Sequence, residues 1–298
     1  MIFKYIFPQD KAISREVFTL ALPVILSNLS RVLMSLIDVA MVGRLGAAAI
    51  AATGMGAMLF WGALSLVLGI RTAVQTVASR RLGQKKFSQC GTAFHNGLVM
   101  ATIYSLPVSF AGWLWAKDFI PFFINDFEAT PLAAEYSSII FLSLFFSAYS
   151  FVFQGFYTGI EKTRIHLTVT VTSNIINVYL NAGLIYGSEG LKIFFQETAP
   201  FLSFLTPLWQ WTTFPQLGVK GAAIATLAAS AWMALHYSIH LFSKRIKPIF
   251  GVFILSVDLT MMRRQLQLAL PQGIQEMVIA IGWSVFYKIM GLIGLIEL

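Results

Sequence analysis

Asp38 is a carboxylate inside an otherwise apolar stretch, Val17–Val42. An ionised carboxylate at bilayer depth costs about 2.5–3.5 kcal/mol, so it is expected to face a wet cavity or a partner, and it can take up a proton or a cation. Arg31, seven residues earlier, lies on nearly the same helical face and is the alternative, structural partner. The helical rise between them is about 10 Å, too far for direct contact, which favours the cavity. Asn174, Asn177 and Asn181 follow at i, i+3 and i+7 of a later apolar stretch and form one polar stripe. Such amides either join helices or make a hydrogen-bonding wall opposite Asp38. Glu276, with Gln272 and Gln275 beside it, is a second intramembrane acidic position and a candidate, with Asn174 and Gln275, for a substrate cavity. His236 and His240 share a helical face without a Cys, Asp or Glu beside them, which is too few ligands for a metal site. No GxxxxGK[ST], HExxH or GxSxG motif is present, so no enzymatic chemistry or cofactor is expected.

The composition sets the elements that must position these residues. Of 298 residues, 57% are hydrophobic and 11% charged. Soluble domains carry about a quarter charged residues. A chain this apolar cannot cover a globular surface, which excludes a soluble enzyme, a nucleic-acid-binding module or a disordered linker. A single cysteine excludes a disulfide framework. Seven stretches are long and apolar enough to span a bilayer: Val17–Val42, Ala47–Ala78, Gly91–Trp115, Leu132–Tyr157, Ile165–Tyr186, Gly218–Phe242 and Leu266–Leu295. Helices are expected, because backbone groups in lipid must be satisfied within the segment. The fold class is therefore an all-α polytopic membrane protein.

Lys4, Lys11, Arg15, Arg80, Arg81, Lys85, Lys86, Lys162, Arg164, Lys244, Arg245, Lys247, Arg263 and Arg264 fall on one side of this layout. Arg44, Lys117, Lys192 and Lys220 fall on the other, and Arg31, Arg71 and Lys288 lie within spans. The bias predicts a cytoplasmic N-terminus in a multi-pass protein of the inner (plasma) membrane. It also assigns the net charge of +8 to topology and anionic headgroups, not to nucleic acid. Trp113 and Trp115 close the third span, and Trp209 and Trp211 sit in the segment 187–217, read as interfacial and not as an eighth span.

Leu20-Ala21-Leu22-Pro23 recurs as Leu268-Ala269-Leu270-Pro271, and the same offset maps Gly43 and Gly46 onto Gly291 and Gly294. Six spans separate the copies, so both run in the same direction, as in transporters built from two parallel halves. Residues 1–248 are read as one six-helix lobe and 249–298 as the start of a second. The chain reads as truncated, with a missing carboxy-terminal lobe as its expected partner. Small-residue pairs Gly155–Gly159 and Gly183–Gly187 mark close helix contacts, and Pro23 and Pro107 can bend their helices.

These residues together resemble the MATE (multidrug and toxic compound extrusion) family. LALPVILSNLSRVLMSLIDVAMVGRLGAAAIAA at 20–52 is similar to that family's first helix. ASRRLGQKK at 78–86 resembles its basic turn, and GFYTGIEKTR at 155–164 the end of its fourth helix. NIINVYLNAGLIYG at 174–187 and LGVKGAAIAT at 217–226 resemble its fifth helix and the start of its sixth. The resemblance implies twelve helices in two lobes around a cavity. It implies alternating-access export of small organic cations or drug-like compounds in exchange for protons or sodium. It also implies an amino-lobe coupling site at Pro23, Asp38, Asn177, Asn181 and Thr226. Some relatives carry aspartate where this chain has Asn181, and some place a seventh-helix acid at the position of Ile279. The outer insertion 187–217 is unusual for the family.

The competing readings are a lipid-linked oligosaccharide flippase of the same superfamily, an inactive fragment, and a seven-span receptor. Flippase cavities are commonly strongly cationic, whereas only Arg31, Arg71 and Lys288 are basic within spans here. A receptor of that type usually has its N-terminus outside, against the charge bias.

Overall fold

The computed structural model describes residues 11–124, 126–197, 200–244 and 246–293. Lys4, Arg245, Gly294 and Leu295 lie outside the described residues, as does the side chain of Lys288. Among the described residues there are seven long helices and no strand: α1 Lys11–Gly43, α2 Ala47–Gly83, α3 Phe87–Phe123, α4 Ala129–Gly159, α5 Thr163–Glu197, α6 Val219–Leu241 and α7 Leu259–Ile293. A 3-10 helix, Pro200–Trp209, follows α5, and a single helical turn, Lys247–Phe250, precedes α7. Both Pro23 and Pro271 sit within continuous helices.

Contact register fixes the direction of each helix. Gly97 meets Val74, and the Tyr104 hydroxyl donates to the Ala63 carbonyl at 2.6 Å, so α3 runs antiparallel to α2. Thr102 pairs with Tyr149 at 2.7 Å while Gly112 meets Phe141, so α4 runs antiparallel to α3. Gly56 meets Tyr136, and Gly155 meets the Arg71 carbonyl, so α2 and α4 are parallel. Asn174 bonds Ser30, Asn181 bonds Asp38 and Tyr186 bonds Met41, so α1 and α5 are parallel. Ser173 bonds the Ala229 carbonyl and Gly221 meets Leu184, so α6 opposes α5. Gly69 meets Ala269 and Gly273 meets Leu66, so α7 opposes α2 and is parallel to α1. The chain therefore alternates at every turn, and the two LALP copies share one direction.

Counted over the described residues alone, five of these helices, α1, α2, α3, α4 and α6, are both long and apolar enough to cross a membrane. The sequence reading counts seven. Helix α5 runs unbroken only to Gly187, and its asparagines and hydroxyls lower its apolar content, whereas the side chains of α7 beyond Val285 lie outside the described residues. Helix α5 packs against the apolar helices α1 and α6, which cover its polar face.

Helix α4 forms the centre, packed on α2, α3 and α6. Its Leu144, Val152, Phe156 and Tyr157 are fully buried, and Phe153 stacks on Tyr237 with ring centroids 5.7 Å apart. Gly155 and Gly159 allow this approach: a Cβ on either would meet α2, Gly155 at the Arg71 carbonyl and Gly159 at Gln75 and Ala78. Backbones in contact are the expected way to associate helices where no hydrophobic drive exists between them. Helix α1 is peripheral. It packs chiefly on α5 and buries Pro23, Ser27, Met34 and Val42 along one seam.

The turns are built locally. Those after α2 and α4 close alike: Lys86 N–H donates to Arg81 O and Lys162 N–H to Tyr157 O, each after a residue in the left-handed region, Lys85 and Glu161. This is the Schellman arrangement, with its orphan carbonyls satisfied. Asp126 caps α4 by accepting from the Ala129 N–H at 2.7 Å, and Asp258 caps α7 through Thr260 and Met261. The strap before α7 is fastened to α3, where Asn96 exchanges two hydrogen bonds with Asp258 and His95 binds Val252 O at 2.9 Å.

The segment 187–217 packs back onto the helix that precedes it. Gly187, at φ +72°, breaks α5, and the chain folds back over its own helix. Leu217 N–H returns to Leu184 O at 2.8 Å. Trp209 is buried, stacked 5.2 Å from Tyr179, and its indole N–H donates to the Tyr179 carbonyl at 2.8 Å. Trp209 therefore belongs to a small second core with Ala182 and Leu191, while Trp211 stays exposed. Covering Met41 and Tyr186, this core caps the end of α1 and α5 away from the basic turns.

Candidate functional site in the helix-lined cavity

A cavity of about 700 Å³ opens between α1, α2, α4, α5 and α6. That volume suits a drug-sized molecule. Its helices supply the walls unequally. Phe60, Trp61 and Leu64 of α2, Ile140 and Phe151 of α4 and Met233 of α6 make it apolar, and α1 and α5 contribute most of the polar atoms.

Asp38 of α1, half-buried, lies on this wall. Asn181 of α5 uses both of its amide hydrogens there, one to Asp38 Oδ1 at 2.6 Å and one to Asn177 Oδ1 at 2.9 Å. Asn177 and Asn181 are buried on the helix side and reach the cavity with their side chains. The Asn181 Oδ1 is buried without a hydrogen-bond partner among the described residues. A donor spent on each side and an acceptor left open produce a group of oxygens, from Asp38, Asn181 and Asn177, with no Lys or Arg paired to Asp38 among the described residues. Carboxylate and amide oxygens are the donor set of hard cations, and a carboxylate also takes a proton. Thr226 of α6 lies on the same wall, its hydroxyl donating to Ala222 O at 3.0 Å. Asn174 also faces the cavity, with its amide donating to the Ser30 hydroxyl at 2.8 Å.

Three expected residues stand elsewhere. Pro23 is buried on the α1 seam, about 22 Å along the helix axis from Asp38. Its carbonyl accepts from the Ser27 hydroxyl at 2.7 Å, and it lines no part of the cavity. Gln275 and Glu276 are on α7, which packs chiefly on α2, and neither lines this wall. Glu276 accepts from Gln272 at 3.2 Å.

A second polar group, missed in the sequence, closes the basic end of the cavity. Gln154 of α4, His166 of α5 and Tyr237 of α6 line it together. Gln154 Nε2 lies 2.9 Å from His166 Nε2, and His166 Nδ1 lies 2.6 Å from the Tyr237 hydroxyl. His166, Thr170, Ser173 and Asn177 recur every three or four residues. Extending the asparagine stripe two turns toward the start of α5 would have found them. The paired histidines noticed in the sequence, His236 and His240, stack 5.2 Å apart, and His236 bonds Thr172 at 2.9 Å, outside the cavity wall.

The MatE family model matches residues 23–182, more than half of the chain. The chain is 26% identical over 258 residues to the probable multidrug resistance protein NorM of Rhodopseudomonas palustris, covering 86% of this chain and 49% of that protein. It is 23% identical over 279 residues to the protein of the same name from Bacillus licheniformis, covering 92% and 54%. A crystal structure of MATE in the straight conformation superposes with a TM-score of 0.75 at 20% identity, over 94% of this chain and 56% of that one. The chain spans about half the length of the curated relatives it matches. Shared sequence and shared helical architecture agree: the chain belongs to the MATE family of multi-pass membrane transporters and carries its amino-terminal lobe.

Proposed function

We propose that this chain provides the amino-terminal lobe of a secondary antiporter that exports drug-like organic compounds in exchange for protons or sodium. The observation that carries the reading is the Asp38–Asn181–Asn177 cluster on the wall of a cavity of drug size. Uptake of a proton or sodium ion at Asp38 neutralises the one carboxylate on that wall. The ion then favours whichever arrangement of α1 against α5 binds it more tightly, and a ligand shifts two states only by that difference. Thr226 adds a hydroxyl to the same wall, and Asn174 holds α1 to α5 nearer the basic end.

Residues 1–248 form the lobe in this reading, and 249–298 begin the second, with α7 seated on α2. The second lobe covers the exposed apolar faces of α1 and α7. The N-terminus lies in the cytoplasm of a cell whose plasma membrane holds the protein, because the basic turns gather at that end. The relatives' printed names, multidrug resistance proteins, support drug-like substrates.

The test is export of a fluorescent organic cation from cells lacking other efflux pumps and expressing the protein with its second lobe. Asp38→Asn is expected to abolish ion-driven export while the protein still reaches the membrane. Undiminished export by that variant overturns the assignment.

A further inference from the structure

The cavity has two electrical ends. Asp38 lies on one, and Arg31, about 10 Å along α1 toward the basic turns, lies on the other. Arg31 is half-buried and its Nη2 donates to the neutral Asn28 Oδ1 at 2.5 Å. Across from it Arg71 of α2 lies behind the wall, its guanidinium 5.8 Å over the Phe151 ring. Arg71 reaches Gln154 Oε1 only at 3.5 Å, and its Nε is buried with no hydrogen-bond partner. Among the described residues neither guanidinium has a carboxylate within ion-pair distance; the ion pair found there, Lys220–Glu135, lies at the opposite end. The charges of the two arginines act on each other and on His166 and Tyr237. Glu276 of α7 acts on Arg71 from beyond ion-pair range and from outside the cavity wall.

The intervening groups supply no counter-charge. A guanidinium only donates, so Gln154 must present Oε1 to Arg71 and Nε2 to His166. His166 Nε2 then accepts, its hydrogen sits on Nδ1 toward Tyr237, and the ring is neutral. Each guanidinium has five N–H donors in a fork that matches an oxyanion, and each spends one. Two partly buried like charges with unspent donors and no paired carboxylate among the described residues are an arrangement that an oxyanion stabilises. The adjoining walls, Phe60, Trp61, Phe151 and Met233, are apolar or aromatic.

We propose that Arg31, with Arg71 behind it, forms an oxyanion subsite that takes the carboxylate of an aromatic small molecule whose ring lies against Trp61 and Phe151. The subsite thereby adds compounds bearing an acidic group to the drug-like substrates proposed above. This rests on the cavity being the substrate path, but it concerns equilibrium binding and needs no turnover.

The test uses the 298-residue chain in phosphatidylcholine nanodiscs without an ion gradient. Binding of 2-naphthoate is compared with that of the neutral 2-naphthamide by calorimetry. The expected result is at least tenfold tighter binding of the carboxylate. Arg31→Gln should erase that preference and leave amide affinity within twofold, and Arg71→Gln should reduce it several-fold. Amide binding in each variant shows that the cavity is still folded. Equal affinity for the two probes, or a preference that survives Arg31→Gln, overturns the proposal. A preference lost when phosphatidylglycerol replaces phosphatidylcholine, at salt high enough to screen the surface charge, assigns the subsite to an anionic lipid headgroup and also overturns it. Export can fail in cells while the carboxylate preference stands, so the two readings fail separately.

Discussion

Asn181 donates one amide hydrogen to Asp38 on the neighbouring helix and the other to Asn177 one turn back on its own. The side chain is thus a clamp between α1 and α5, and its unpaired oxygen points away from both bonds. Replacing it by alanine strands a partly buried carboxylate. A hydrogen bond to a charged group contributes about 1.5–3 kcal/mol, so Asn181→Ala should lower the thermal midpoint in detergent measurably. An unchanged midpoint would show that the clamp is not formed.

Asn181→Asp has a different expected effect. Two carboxylates within hydrogen-bonding distance cannot both stay ionised without a shared proton or cation. The variant should gain thermal stability on raising sodium at constant ionic strength, more than the parent does. Equal sodium responses would remove the cluster as a cation site.

Glycine positions offer a paired comparison. A Cβ at Gly155 meets the Arg71 carbonyl, whereas one at Gly54 meets nothing within 4 Å. Gly155→Ala forces α4 away from α2 and should cost about 1–3 kcal/mol. Gly54→Ala should be neutral or stabilise by about 0.5–1 kcal/mol, since both positions are helical. Thermal unfolding of the two variants side by side checks the packing.

Glu161 holds a left-handed backbone, φ +62°, at the turn after α4. A side chain there costs about 1–2 kcal/mol over glycine. Glu161→Gly should raise the thermal midpoint, and a decrease would mean that the Glu161 side chain makes a compensating contact.

Trp209→Ala empties the small core around Ala182 and Leu191. Truncating a buried tryptophan costs about 3–5 kcal/mol. Here the loss should be local: hydrogen exchange should speed up over 188–214 and stay slow in α4.

Much of this molecule was legible in its sequence. Lengths of apolar run, the charge bias and the LALP repeat led to alternating helices and to parallel α1 and α7. Asp38, Asn177 and Asn181 were singled out because polar atoms at bilayer depth need a reason. The spacing of Asn174, Asn177 and Asn181 predicts one face, and that face does meet α1. Glu276 does not line the cavity, because polarity along one helix does not reveal which neighbour that helix faces. Gln154 and Tyr237 escaped notice for the same reason: each is a single polar residue on an apolar helix, and only tertiary packing gathers them around His166. The tryptophan rule gives Trp209 its level but not its neighbours: its packing on Tyr179 follows from the fold-back at the left-handed Gly187, which spacing alone does not show.

The pairing of α1 with α5 also sets a timetable. Asp38 and Asn181 are separated by 143 positions in the chain. At about 5–20 residues per second, the ribosome needs on the order of ten seconds to deliver the second after the first. Throughout that interval α1 has left the ribosome with its carboxylate and without the helix that receives it. The nascent chain must shelter Asp38 in the insertion machinery, or in a watered groove beside α2, until α5 arrives. Biogenesis, and not only transport, therefore depends on how well a lone carboxylate is tolerated while its partner is still being made.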